Sequence, residues 1–492
     1  MLLKPMLLFG YGLLYTNAKP LSDIFDVCMD QKLSSSCHKI FETNPKKEAK
    51  PLNTAWEHIE AMNEAAVKAL GKDSYEGDEE IRRLATRFFG IKPKRTTVGK
   101  PPRAVVKEEL PDSGSLDSSK MHRVEFFFNK MKDLINGEAI DKSGHYEKKV
   151  SLACDSDYMD VQRETEMLES EIGQMIRQPG THGNGMTLQA WLKSFKQEKV
   201  SKDSVWMKSL SPELSYFPIS ETRHPTDLNG LPFPRDKNGI SHICQLPINA
   251  VTMSTTDYIF EAAKDGTYKG EEEKHHARLI LCPRAIQGSK RMAGIEKDLL
   301  PNGEQSKNTM LESLGTGTLA FYHELWHLQA MMNRDPRYGQ FPDSDVHWAK
   351  CDRDGKDQCK KLTKNWWLKK TGFTDRDVLN PEGHMGSAGS TSSSSSEGKS
   401  SALGAMAATY LSLYDMAQPV SQELRPLPQS AKQGMGQAGL FNPDNYVWFA
   451  YAVYLHAKRP SDHWSSGYCK KRPETFEESM TPITGQWQFR FP

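Results

Sequence analysis

The 492-residue chain lacks an excess of charge of either sign, with 64 Lys and Arg against 63 Asp and Glu for a net charge of +1. A chain whose main partner is nucleic acid or an anionic membrane concentrates unbalanced Lys and Arg. Neither partner is therefore expected. Apolar mass is also short: 37% of residues are hydrophobic, below the roughly 45% or more usual for a compact chain. One core stretched by polar insertions is expected, and at 492 residues there is ample chain to bury it. No CxxC pair occurs among the eight cysteines, 28, 37, 154, 244, 282, 351, 359 and 469, which argues against a cysteine zinc knuckle. No Asn-x-Ser/Thr sequon and no internal repeat is present, and no apolar run has the roughly 20 residues needed to cross a bilayer.

What is present begins with an export pattern. Residues 1–18 carry Lys4, an apolar run from Pro5 to Tyr15, and Thr16-Asn17-Ala18 with small residues where a signal peptidase cuts. This reads as a cleaved signal peptide, so the mature chain is expected to be secreted, extracellular and free of the membrane. An even number of cysteines in an exported chain makes disulfides the default, with the pairing left open by sequence. The closest spacings, Cys28 to Cys37 and Cys351 to Cys359, suit local loop closure.

The remaining order is an N-terminal extension at 19–50, which could serve as a short prosegment, one catalytic-type domain at 51–462, and a tail at 463–492. Helical spacing runs from Trp56 to Leu70, from Glu79 to Phe89 with Gly90 as its stop, and from Val124 to Leu134. Lys92 to Leu116, with Pro93, Pro101, Pro102 and Pro111, reads as a loop, and Ala277 to Cys282 as a short strand ended by Pro283. Polar insertions are expected at about 160–240 and 340–440, the latter holding the Ser-rich stretch 386–401. His275 and His276 beside Glu271 to Glu273 read as a solvated charged approach to the strand. Tyr446 to Leu455 reads as core, packed under the helix described next.

Chemistry concentrates in Leu314 to Gly339, LGTGTLAFYHELWHLQAMMNRDPRYG. Thr316 or Thr318 can cap a helix whose apolar body runs from Leu319 to Met332, and Asp335-Pro336 cannot continue it. On it stand His323, Glu324 and His327, an HExxH motif. Residues four apart share a helix face, so both imidazoles can bind one Zn2+ while Glu324 sits beside the ion as general base. A catalytic zinc site needs a third ligand. The continuation HExxHxxGxxH is absent, since Ala330 and Asn333 occupy the Gly and His positions. A glutamate from a following helix is remote, the next being Glu382, 55 residues past His327. Asp335, eight past His327, is the leading candidate and His347, twenty past, the runner-up. A straight helix would carry Asp335 roughly 12 Å along the axis from His327, so the chain must turn, and Pro336 and Gly339 suit a turn there.

HELWH followed by Asp335-Pro-Arg-Tyr338-Gly339 resembles the signature of the aspzincin metallopeptidases, the deuterolysin and peptidyl-Lys metalloendopeptidase family: HExxH followed by GTxDxxYG. DxxYG matches as it stands, whereas Asn333-Arg334 replaces the usual Gly-Thr. Weaker matches follow in the same order. Trp56 to Leu70, Phe88 to Gly90 and Val124 to Leu134 resemble the family's opening helices, and Cys154-Asp155 its YCxD element. Leu281-Cys282-Pro283 resembles the strand before the zinc helix, and Asn442 to Ala450 the NADxYxxFA helix. The resemblance covers about 50 to 460 discontinuously.

It implies an α+β, zincin-like metallopeptidase fold, mainly helical, with a small sheet beside the HExxH helix. It also implies His323, His327 and Asp335 as ligands of one catalytic Zn2+, Glu324 as base, and Tyr338 as the donor that stabilises the oxyanion. The expected function is a secreted zinc metalloendopeptidase acting on protein or peptide substrates. The alternative is a secreted interaction protein that keeps the fold without proteolysis. Retention of Glu324 favours the enzyme, because a chain released from catalysis need not keep the base.

Overall fold

The computed structural model describes residues 19–30, 51–99, 104–138, 150–181, 183–196, 204–220, 249–286, 317–332, 442–465 and 469–472, together with shorter stretches such as 36–38, 347–351, 359–361 and 424–427. Its long helices are α1 (Pro51–Leu70), α2 (Glu79–Phe89), α3 (Leu116–Ile135), α4 (Gly317–Met332) and α5 (Pro443–Lys458). Local chemistry explains their ends. At α2 the Asp78 carboxylate accepts from the Glu80 amide at 2.9 Å, Glu79 and Glu80 face the positive end of the helix dipole, and Gly90 closes the helix at φ +64°. At α3 the Ser115 hydroxyl accepts from the Ser118 amide at 3.1 Å. That cap starts the helix at Leu116, eight residues before its apolar periodicity becomes visible at Val124.

One sheet carries the fold. Its strands are β1 (Phe25–Val27), β2 (Val150–Ala153), β3 (Met159–Gln162), β4 (Ser204–Ser209), β5 (Ser215–Ser220), β6 (Ala250–Ala262) and β7 (Tyr268–Leu281). Their spatial order is β1-β2-β7-β6-β5-β4-β3. β1 with β2 and β2 with β7 are parallel, and the remaining neighbours are antiparallel. The α+β class therefore holds, but the expected small sheet is corrected to a mixed sheet of seven strands. Two masking effects concealed it. Glu271, Glu272 and Glu273 hide the first half of β7, which pairs with β6 along a hairpin whose outer part is partly exposed, so charge is tolerated there. Residues 160–240, rich in Lys, Glu, Pro and Gly, contribute β4 and β5 and part of β3. They also supply a buried cluster of Leu168, Ile176, Met186, Trp191, Trp206 and Tyr216 against Tyr258 and Phe260.

A second difference lies at 92–116. Instead of a loop, Lys94–Val98 and Val105–Glu109 form an antiparallel hairpin, with Val98 opposite Val105. β-Branched residues flank the Gly-Lys-Pro-Pro stretch, and prolines are compatible with the end of a two-stranded ribbon.

Alternation along β7 decides which face is which. Leu279 and Leu281 enter the main core with Ile59, Met62, Leu325, Trp326 and Val447 from α1, α4 and α5. Ile280 and Cys282 enter a smaller core with Tyr158, Met207 and Phe217. The opposite face also holds an ion pair between Arg278 and Asp257, both fully buried, with contacts of 2.9 and 2.5 Å. Thr255 and Ser215 hydroxyls complete the carboxylate's bonds. Burial alone would raise the Asp257 pKa, but the guanidinium charge and these bonds hold it below the usual 3.8.

Among the described residues two disulfides are formed, Cys37–Cys154 and Cys244–Cys282. Cys28 and Cys37, one of the two close spacings, are not a pair. Instead Cys37 reaches across 117 residues to the end of β2, tying the N-terminal extension to the sheet. Cys351 and Cys359 stand opposite each other in a separate three-stranded sheet formed by His347–Cys351, Cys359–Lys361 and Leu424–Leu427. Among the described residues no helix is long and apolar enough to cross a membrane.

Candidate metal centre

Helix α4 begins at Gly317 and ends at Met332, close to the 319–332 span expected from its caps. It is buried nearly all round, because it lies between the sheet and the other helices. Trp326 packs on Tyr446 with ring centroids 4.5 Å apart and on Phe128 at 5.4 Å. The Tyr322 hydroxyl donates to Asn63 at 2.9 Å and the Gln329 amide to the Phe127 carbonyl at 3.1 Å. From the sheet side, the Thr252 hydroxyl of β6 donates to the Glu324 carbonyl at 3.0 Å. These contacts fix both the rotation and the height of α4, and with them the direction of its polar residues.

His323, Glu324 and His327 emerge together on this fixed helix. The His323 and His327 rings lie 4.9 Å apart, and their Nε2 atoms face each other at 3.1 Å. Two nitrogens at that distance repel unless a proton or a cation lies between them. Two nitrogens bonded at 2.0–2.1 Å to one tetrahedral ion would sit about 3.3 Å apart. The spacing is thus near what a shared zinc would require. His323 is 2% exposed and Glu324 8% exposed, so a charge held here meets little screening by water.

The other nitrogen of His323 carries a feature that sequence reasoning missed. Its Nδ1 lies 2.7 Å from a carboxylate oxygen of Asp444, which is itself fully buried. A carboxylate can only accept, so Nδ1 holds the hydrogen and Nε2 is the ring atom turned toward His327. Asp444 stands in the first turn of α5, where the helix dipole favours a negative charge. Asn442 bonds Asn445 at 2.6 Å, and Asn445 donates to the Phe88 carbonyl at the end of α2 at 2.5 Å. The aromatic stretch after Tyr446 is core, as expected. The residue that bears on chemistry is the aspartate two positions before it, and only its place in the NPDNY run hinted at a role.

Asp335 and Tyr338 lie outside the described residues. The backbone of His347 opens the strand His347–Cys351, opposite Leu427, and its side chain is likewise outside them. Among the described residues no group of three or more His, Cys, Asp or Glu side chains is arranged to hold a metal; the described part of the centre is the histidine pair with its carboxylate support. His275 and His276 are no part of it. His275 contacts the Thr256 hydroxyl at 3.2 Å and His276 lies 3.4 Å from Glu213, both on the β6–β7 hairpin side. Comparison with protein-family models, curated proteins and solved structures returns no match.

Proposed function

We propose that this chain is a secreted zinc-dependent endopeptidase, with the metal held by His323, His327 and Asp335. The observation that carries the reading is the pair of Nε2 atoms 3.1 Å apart on a buried helix, one ring oriented by the Asp444 carboxylate, with the HExxH glutamate between them in sequence. A carboxylate behind a ligating imidazole is the usual support of a zinc site. When bound, zinc supplies a Lewis acid that polarises a carbonyl and brings the pKa of its water to about 7.

The chain's own groups supply the rest. His323 and His327 present neutral nitrogens, and Asp335 adds the anionic donor that keeps the site's affinity high. The Glu324 carboxylate accepts a proton from the attacking water and delivers it to the leaving amine nitrogen. The Tyr338 hydroxyl donates a hydrogen bond to the substrate carbonyl oxygen as charge builds there. The surrounding core keeps His323 and Glu324 largely out of water.

Cleavage of casein, with and without a chelator and with zinc content measured in parallel, tests this reading. The native chain should cleave casein and lose that activity to the chelator. Glu324→Gln should keep its zinc and lose activity by about 10²- to 10⁴-fold. Zinc retained with undiminished cleavage in Glu324→Gln would remove the assigned mechanism.

A further inference from the structure

A second histidine cluster lies at the far end of α5. His456, in the last turn of that helix and 5% exposed, places its two ring nitrogens against two acceptors. Nδ1 is 2.8 Å from the Asp462 carbonyl and Nε2 is 3.0 Å from the Asp78 carboxylate. Neither a carbonyl nor a carboxylate can donate, so both nitrogens must carry hydrogen for both bonds to exist. That requirement is met only by the imidazolium. The C-terminal end of a helix, with Lys458 in the same turn, favours such a cation by its dipole.

The bonds join three parts of the chain. Asp78 is the cap of α2, whose other carboxylate oxygen holds the Glu80 amide. Asp462 belongs to the segment that follows α5. That segment is also fastened by fully buried Glu80, which accepts from the Trp464 amide at 2.5 Å, the Ser465 amide at 2.7 Å and the Ser465 hydroxyl at 3.0 Å. The charged and titratable groups facing His456 are Asp78 and Glu80 from α2 and its cap, and Asp462 and His463 from the segment. The His463 ring is 5.2 Å away, with its Nδ1 3.5 Å from Glu80. Beyond them, Lys471 pairs with the Asp462 side chain at 2.5 Å, and Arg459 and the buried Cys469 thiol, pushed up to about 11 by burial and Asp462, complete the surroundings.

We propose that His456 is a pH-sensitive clasp: as an imidazolium it fastens residues 459–465 and the last turn of α5 to the cap of α2, and loss of its proton loosens them. This does not depend on the peptidase reading.

The sign follows from the surroundings. Burial alone would lower the His456 pKa, but the bond and charge of Asp78 with the Asp462 carbonyl outweigh it and raise it above 6.5. Asp78 moves the other way: burial opposes ionisation, and the bond to His456 and its charge overcome this to hold it below 3.8. The histidine's contribution is complete below pH 6.5 and is lost as pH rises through its raised value. The aspartate's is complete above 3.8 and is lost as pH falls through its lowered value. The clasp is closed between these limits and opens on the alkaline side.

Hydrogen exchange of the full chain, read by mass spectrometry on the peptide holding Trp464 and Ser465, tests this from pH 5.5 to 8.5 after correction for intrinsic rates. Protection in the native chain should fall with rising pH, by about tenfold for each unit by which the pKa is raised, with a midpoint above 6.5. His456→Gln should be weakly protected at every pH, and His463→Gln should keep the native fall. Protection that is flat or rises with pH in the native chain would overturn the proposal even if the variants misfold. So would a pH dependence that survives in His456→Gln and vanishes in His463→Gln.

Discussion

At the scale of single residues, the candidate centre rests on the division of work between the two nitrogens of His323. One bonds Asp444 and the other faces His327. Asp444→Asn keeps the side-chain size but replaces an anion with a neutral amide, so the ring loses its electrostatic support. The variant should bind zinc about 10- to 100-fold more weakly, as measured by competition with a chromophoric chelator, while folding normally by circular dichroism. An unchanged zinc affinity would reduce Asp444 to a packing role. The third ligand is tested in the same assay. Asp335→Ala should weaken zinc binding strongly and His347→Ala should not; the reverse outcome would move the site to His347 and remove the aspzincin resemblance as a guide. His323, Glu324 and His327 were legible because a helix puts positions i and i+4 on one face whatever the rest of the fold does. Asp444 was not, because it lies 121 residues from His323 and only tertiary packing brings the two together.

At the scale of elements, the helices were more legible than the strands. α2 and α4 announce themselves through caps and 3.6-residue spacing, and their observed ends lie within two residues of the sequence reading. β7 was visible only in its apolar half, because a strand on an exposed hairpin arm tolerates Glu and Lys that carry no strand signal. β4 and β5 were hidden inside a stretch whose average composition is polar, though Trp206, Met207, Tyr216 and Phe217 are buried. The strand pair β6–β7 is also where an electrostatic prediction belongs. Asp257 is held ionised by Arg278 and its pKa is lowered, so its contribution is complete above pH 3.8 and lost as pH falls through the lowered value. Asp257→Ala leaves the buried guanidinium unpaired and should cost about 3–5 kcal/mol at neutral pH by urea unfolding. The loss should shrink under acid conditions. An equal loss at pH 3 and pH 7 would contradict the charge argument and leave only lost packing.

At the scale of the whole molecule, a near-neutral, sparsely apolar chain concentrates its core between one seven-stranded sheet and the helices on it. Helix α4 is the element that both sides of that core hold in place. Thr252 fixes it from the sheet, Asn63 from α1, Phe127 from α3 and Asp444 from α5. The disulfide Cys37–Cys154 adds a tie between the N-terminal extension and β2, a restraint suited to an oxidising, extracellular setting. The central claim is that the paired imidazoles of α4 hold zinc. Elemental analysis of the purified native chain beside His327→Ala, both shown to be folded, tests it most directly. The account predicts one zinc ion per native chain and almost none in the variant; a native chain without zinc, or equal zinc in both, would contradict it.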